Sequence, residues 1–140
     1  MATIAPVTGL GTPVGLYSHA VPLPPGSTLL AVSGQLSVDA DGNTVGAGDF
    51  ETQMRQVFAN LTTVLHAAGA EPSSLVKMTT YLVDPGTIHD FYRVREVLFA
   101  DLFPDGVYPG NTLLVVSRLV RPEFLIEIEA LAAIGAESRP

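Results

Sequence analysis

The chain of 140 residues contains no cysteine and no tryptophan, and Lys77 is its only lysine. Without cysteine, disulfides, thiolate metal sites and thiol nucleophiles are excluded. Proteins that bind phosphate backbones do so with clustered lysines and arginines. This chain has a net charge of −7 and no stripe of basic residues, so we expect no nucleic-acid partner.

Long apolar runs are missing as well. No stretch approaches the roughly 20 apolar residues that cross a bilayer. Residues 1–15 contain neither the basic segment nor the long apolar segment of a signal peptide, and we expect a cytoplasmic protein without a membrane partner. The three histidines (His19, His66 and His89) lie in different predicted elements without ligand spacing. We therefore expect no metal and no cofactor.

Hydrophobic residues make up 47% of the chain. Its length suits one domain, with a core expected at about residues 15–133 and less ordered termini. Folded monomers of this size bury only roughly 68–70% of the surface that the unfolded chain exposes. An unusually apolar small chain can hide more of its surface by forming an oligomer.

Apolar periodicity predicts an α+β fold with the element order β-β-α-β-α-β-β. The predicted strands cover residues 16–21, 28–35, 75–83, 112–119 and 124–132. The first helix begins after the N-cap Asp49 and ends before Gly69, which suits a left-handed position. The second has Thr87 as its cap with Asp90 three residues on, close to a capping box, and it stops before Pro104.

The last two strands indicate how the sheet is covered. Residues 113–116, Leu-Leu-Val-Val, are apolar at consecutive positions, so both faces of this strand require burial. Two helices can cover one face of the sheet, and nothing left in the chain covers the other. We therefore expect another copy of the same sheet to cover it, in a closed symmetric assembly.

The final strand places two carboxylates on that second face. Its residues alternate between two sets, Phe124, Ile126, Ile128 and Ala130 on one side and Leu125, Glu127, Glu129 and Leu131 on the other. If the first set faces the helices, Glu127 is partly desolvated between subunits. Desolvation raises the pKa of a carboxyl group and suits it to acid–base chemistry near neutral pH. The alternative is that both glutamates lie on a solvated strand face.

Several segments follow one another in a recognisable order. They are Gly15-Leu16-Tyr17-Ser18-His19-Ala20-Val21, Val32-Ser33-Gly34-Gln35, Asn60 through Gly69, Val76-Lys77-Met78-Thr79, Arg118-Leu119 and Ile126-Glu127-Ile128-Glu129-Ala130. Together they span roughly residues 15–133 and resemble the Rid (reactive intermediate deaminase) family, also called YjgF or RutC-like.

The resemblance implies a chorismate-mutase-like fold and a homotrimer whose sheets form a central barrel, with active sites in the clefts between subunits. Active members hydrolyse enamines and imines, such as 2-aminoacrylate, to a keto acid and ammonia. An iminium carbon is already electrophilic, so the protein needs only to hold the substrate, position a water and move protons. The family has also carried the name endoribonuclease L-PSP, but the acidic composition argues against RNA.

Carried over position by position, the resemblance assigns Tyr17, Ser33 and Glu127 to catalysis, with Glu127 beside the catalytic water. The family grips the substrate carboxylate with an arginine in a Pro-x-Arg-Ser/Thr motif, which reads Pro109-Gly110-Asn111-Thr112 here. A neutral amide cannot replace a guanidinium as a carboxylate anchor. Asn111 and nearby Leu113 are predicted to bind a substrate that differs from the usual one.

Two further residues are candidates for the pocket. Many members have asparagine where this chain has Arg95, so arginine and asparagine have exchanged two pocket positions, and Arg95 is predicted to supply the anion-binding charge. The alternative is that Arg95 pairs with Asp90 or Glu96 on an exposed helix face. His19 stands beside Tyr17 and is either a proton carrier or a strand histidine hydrogen-bonded at a subunit edge.

Three functions remain open at this point. The first is imine or enamine hydrolysis with altered substrate choice, and the second is a non-catalytic trimer that binds a small metabolite as a sensor or regulator. The third is one step of a biosynthetic pathway, such as a cyclisation or dehydration through an imine. In each of them a small molecule occupies a cleft of the homotrimer.

Overall fold

The computed structural model describes residues 7–135. Its main elements are β1 (Thr28–Gln35), α1 (Phe50–Ala67), β2 (Leu75–Leu82), α2 (Ile88–Leu102), β3 (Gly110–Val115) and β4 (Ile126–Ile134). Short 3-10 helices at Pro72–Ser74 and Pro85–Thr87 lead into β2 and α2. Within the described range, no helix is long and apolar enough to cross a bilayer. The outermost parts of the termini that were expected to be less ordered, 1–6 and 136–140, lie outside the described residues.

The strands form one mixed sheet in the order β1-β4-β2-β3. β4 is antiparallel to both of its neighbours, whereas β2 and β3 are parallel. A parallel pair needs a crossover connection, and α2 provides it between β2 and β3. Because β4 lies between β1 and β2, its glutamates are in the interior of the sheet and not at an edge.

The helix ends show which of the predicted caps form. Asp49 accepts a hydrogen bond of 3.1 Å from the backbone N–H of Thr52 and so caps α1, which confirms the prediction. Gly69 follows α1 with a φ of 73°, the left-handed position expected for it. The prediction of a capping box at α2 is wrong, because Thr87 donates its hydroxyl to the carbonyl of Asp84 within the preceding 3-10 turn.

The strand predicted at residues 16–21 does not form, so the order in residues 7–135 is β-α-β-α-β-β. This segment is tied down by a hydrogen bond of 3.1 Å from the N–H of Ser18 to the carbonyl of Pro109. The prolines that follow it, at positions 22, 24 and 25, have no N–H to donate to a neighbouring strand. The later strands also shift, since β3 ends at Val115 and β4 begins at Ile126.

Both helices pack on one face of the sheet. The largest fully buried side chains there include Met54, Leu61, Met78, Phe91, Phe99, Ile126 and Ile128, and burying each is worth about 1.5–3 kcal/mol. On the other face Leu29, Leu114 and Leu131 are 51%, 41% and 37% exposed. The alternation along β4 is confirmed, because its isoleucines at 126 and 128 are buried while Glu127 and Glu129 lie on this open face.

Candidate functional site

The residues predicted for the site line different clefts of a single chain. Tyr17, His19 and Asn111 line a cleft of about 450 Å³ beside the edge strand β3. Glu127 lines a cleft of about 290 Å³ on the open face of the sheet, and Ser33 lines another of about 390 Å³ on that face. One chain therefore does not place Glu127 in the same cleft as Tyr17 or Asn111.

Glu127 is half-buried and has no hydrogen-bond partner among residues 7–135. Burial is the main cause that raises the pKa of its carboxyl group above the ordinary value, and the nearby charge of Glu129 raises it further. Gly34 of β1 lies so close that a Cβ at this position would collide with the Glu127 carboxylate. The absence of a side chain at Gly34 thus makes the room that Glu127 occupies.

Glu129 has a different environment, although it points to the same face. The hydroxyl of Tyr81 donates a hydrogen bond to the Glu129 carboxylate, and this bond is the main cause that raises the pKa of Tyr81. Arg118 also lines the Glu127 cleft, but its guanidinium donates to two backbone carbonyls. Glu129 is therefore held by a partner, whereas Glu127 has none among residues 7–135.

Ser33 lies exposed on the open face of β1. Its cleft is also lined by Lys77 and Glu129, and Glu129 lines the Glu127 cleft as well. Lys77 donates a hydrogen bond to the hydroxyl of Thr112, and burial lowers the pKa of its amine. Ser33 and Glu127 thus belong to neighbouring parts of one polar strip on the open face.

Asn111 lies in β3 and already has one partner for its side chain. The hydroxyl of Thr80 donates to its Oδ1 over 2.9 Å, so the amide nitrogen remains as the donor that Asn111 can offer to a ligand. Leu113, two residues on, packs against the hydrophobic core. Its predicted contact with substrate stays a prediction.

The N-terminal segment forms the opposite wall of the Asn111 cleft. Ser18 is buried and holds the segment in place, because its N–H and its hydroxyl donate to the carbonyls of the two residues that precede β3. The rings of Tyr17 and His19, on either side of it, meet edge to face with centroids 6.2 Å apart. His19 Nε2 lies 2.8 Å from the carbonyl oxygen of Gly11. One histidine nitrogen is therefore occupied by the backbone.

Arg95 is buried on the inner side of α2, with 4% of its surface exposed. The alternative in which it pairs with Asp90 or Glu96 on an exposed face is wrong, since Arg93 contacts Asp90 instead. The guanidinium carbon of Arg95 lies 5.0, 5.2 and 6.0 Å from the centroids of three aromatic rings of its own helix. Burial lowers the pKa of this guanidinium.

The structure adds residues that the sequence interpretation missed. Gly34 belongs to the Ser-Gly-Gln motif, but the interpretation singled out Ser33, and the contact between Gly34 and Glu127 requires the pairing of β1 with β4. Tyr81 shares a face with Lys77 by simple alternation along β2, so the sequence did carry a signal for it. Within the described part of the chain, no three histidine or acidic side chains form a group that could hold a metal ion.

Comparison with known proteins shows the family and the fold of this chain. The family model described as Endoribonuclease L-PSP matches residues 10–134. The solved structure of a Rid-family protein of unknown function from Yersinia pestis is 34% identical in sequence to this chain and superposes with a TM-score of 0.79. The match covers 95% of this chain and 98% of that protein. The chain belongs to the Rid family. The expected chorismate-mutase-like α+β fold is confirmed for this Rid protein.

Two further proteins match this chain over nearly their whole length. A RutC family protein from Pyrococcus horikoshii is 36% identical over 120 residues, which are 86% of this chain and 88% of the relative. TdcF from E. coli, solved with bound serine, is 25% identical, with a TM-score of 0.69 and coverage of 95% of this chain and 99% of its own. The family and the fold are therefore supported over most of the sequence.

Proposed function

We propose that this Rid-family chain is an imine or enamine hydrolase that releases ammonia and leaves a carbonyl product. The observation that carries the proposal is Glu127, a half-buried carboxylate with a raised pKa and no partner among residues 7–135. A carboxylate with a raised pKa is a better base than an ordinary glutamate. It is therefore suited to take a proton from a water molecule.

The reaction needs no covalent nucleophile, because the carbon of a protonated imine is already electrophilic. Water adds to this carbon while Glu127 takes one of its protons, and the carbon–nitrogen double bond becomes a single bond. Glu127 then returns the proton to the nitrogen, and the carbon–nitrogen bond breaks as the carbon–oxygen double bond forms. The hydroxyl proton passes to the released ammonia, so the products are the carbonyl compound and an ammonium ion. An enamine enters the same sequence after it has taken a proton at carbon.

The catalytic assembly in this proposal is a homotrimer in which the open sheet faces meet. The exposed leucines on that face support it, because Leu29, Leu114 and Leu131 have no cover from residues 7–135. Clefts completed between neighbouring copies can bring together residues that one chain keeps apart. In this assembly Tyr17 and Ser33 act with Glu127, and Asn111, Arg95, Leu113 and His19 contact the substrate.

Asn111 supports an altered choice of substrate. Its Oδ1 accepts from Thr80, so the side chain can donate hydrogen bonds to a ligand but brings no charge. A carboxylate next to the reacting carbon would not find at Asn111 the guanidinium that the family motif provides. We therefore expect a neutral hydrogen-bond acceptor at this position.

The proposal is tested with freshly generated 2-aminoacrylate and its branched analogues, by measuring keto-acid formation. Glu127→Gln keeps the shape of the side chain and removes the base, so we expect turnover to fall by roughly 10²–10⁴-fold. Glu96→Gln on the exposed side of α2 is the matched control and should keep the wild-type rate. Equal turnover by wild type and Glu127→Gln would remove Glu127 from the mechanism.

A second candidate function is binding of a small amino-acid-like metabolite without conversion. Two observations favour it: Asn111 replaces a charged anchor with a hydrogen-bonding one, and the structural neighbour TdcF was solved with bound serine. Thermal-shift screening separates the two functions. A compound that raises the melting temperature and is recovered intact indicates binding, whereas a compound that is consumed with release of ammonia indicates hydrolysis.

A further inference from the structure

The buried guanidinium of Arg95 has no counter-charge. Only 4% of the residue is exposed, and its Nε is a buried nitrogen without a hydrogen-bond partner. Within residues 7–135 no carboxylate forms an ion pair with it, since the arginine pairs belong to Arg55 and Arg93. A charge removed from water is normally paired with an opposite charge, because the desolvation is otherwise uncompensated.

The surroundings of Arg95 favour a cation but do not neutralise it. Aromatic faces of α2 attract the guanidinium. Its Nη2 reaches Gly15, where an added Cβ would lie only 2.5 Å from that nitrogen. Gly15 in turn lines a cleft of about 430 Å³ under the N-terminal segment, together with Tyr17 and Tyr108. Arg95 itself does not line the cleft, and its guanidinium lies directly behind Gly15, a wall residue that has no side chain.

The walls of this cleft define the class of ligand that suits it. Val7, Leu10 and Pro13 make one side apolar, and the rings of Tyr17 and Tyr108 contribute to another. A guanidinium binds a carboxylate through two parallel N–H···O bonds, which match the planar shape of both groups. An acid with an apolar or aromatic substituent would place its charge near Arg95 and its substituent against these walls.

We infer that this cleft is a carboxylate-binding site in which Arg95 pairs with the acid group of a small apolar or aromatic acid. The identity of that acid as the substrate, a 2-imino acid with an apolar side chain, rests on the proposed function. The binding itself does not depend on turnover.

The test is calorimetric titration of the purified protein with phenylpyruvate and with its methyl ester, which differ in charge but share their apolar part. We expect wild type to bind the acid at least about tenfold more tightly than the ester. Arg95→Met should lose at least about tenfold of the affinity for the acid. Arg93→Met, which removes an exposed arginine two residues earlier on the same helix, should bind the acid as wild type does.

If Arg95→Met does not fold, as judged by its circular dichroism melting curve, a second variant still tests the proposal. Arg95→Lys retains the charge but loses the planar fork, and we expect it to bind the acid more weakly than wild type. Equal affinity for acid and ester, no binding of the acid at millimolar concentration, or unchanged affinity in Arg95→Met would each overturn the inference. If the acid binds but no ammonia is released, the carboxylate site is supported and the hydrolase function is contradicted. If ammonia is released without a preference for acids, the hydrolase function is supported and the carboxylate site is contradicted.

Discussion

Burial raises the pKa of Glu127, and two neighbouring residues also determine its properties. Gly34 leaves the space for its carboxylate, and Glu129 places a second negative charge beside it. Alternation along β4 predicted the face that carries both glutamates, because period-two patterns are read directly from the sequence. The contact with Gly34 could not be predicted, since it depends on the irregular register between β1 and β4.

Gly34→Ala should displace the Glu127 carboxylate without unfolding the protein. The added Cβ would collide with the end of a flexible side chain, which can turn away, and not with backbone. Misplacement of a catalytic group by about 1 Å can cost on the order of 10²-fold in rate, so we expect a large loss of keto-acid formation with a nearly unchanged melting temperature. A Gly34→Ala protein with wild-type turnover would show that the position of this carboxylate is unimportant.

Glu129→Gln should shift the pH dependence of turnover. A base must be ionised to act, so the rate rises with pH through the pKa of Glu127. The charge of Glu129 raises that pKa, and its removal should therefore move the rise in rate to lower pH. Tyr81→Phe leaves the charge of Glu129 in place and serves as the control, with no downward shift. A Glu129→Gln profile that coincides with that of wild type would contradict this coupling.

At the scale of elements, the prediction was accurate where periodicity was strong. β1 and the start of α1 were placed at the observed residues, because a β-prone run and a helical pattern there are bounded by clear turn and cap residues. The prediction of a strand at residues 16–21 was wrong, because this segment is hydrogen-bonded to the loop before β3 and not to a neighbouring strand in a regular pattern. The caps differ for a local reason, since a 3-10 turn precedes α2 but not α1.

Asp49→Ala and Thr87→Ala test this difference between the two helix starts. Asp49 accepts from the backbone of Thr52 and from its hydroxyl, so its removal should lower the free energy of unfolding by about 1 kcal/mol. Thr87 makes no side-chain cap, and its loss should stay within about 0.5 kcal/mol. Urea denaturation measures both values. Equal losses in the two variants would argue against the assigned caps.

At the scale of the whole molecule, the sequence indicated a sheet with one face uncovered, and the structure has such a face. The apolar run at 113–116 supplied that signal, because Leu113 packs against the core while Leu114 is exposed on the opposite side. Which clefts would meet in the proposed homotrimer could not be predicted from one sequence. That arrangement depends on contacts between copies, and periodicity reports only on contacts within a chain.

Leu131→Glu should disrupt the proposed homotrimer. The substitution adds a carboxylate to the open face of β4 beside Glu127 and Glu129, where burial between copies would penalise its charge. Sedimentation should give wild type a mass of three chains of 14.7 kDa each and the variant the mass of one. Val97→Glu on the outer side of α2, where Val97 is 54% exposed, is the control and should remain trimeric. A trimeric Leu131→Glu protein would show that copies meet elsewhere.

The proposed catalytic role of Glu127 is tested most directly by the initial rate of keto-acid formation from freshly generated 2-imino acids, measured across pH for wild type and Glu127→Gln. We expect the wild-type rate to rise through an apparent pKa above the ordinary glutamate value of 4.5, and the variant to be slow at every pH. A wild-type rate no faster than the uncatalysed reaction, or the same profile in both proteins, would contradict the assignment of this chain as a hydrolase that uses Glu127.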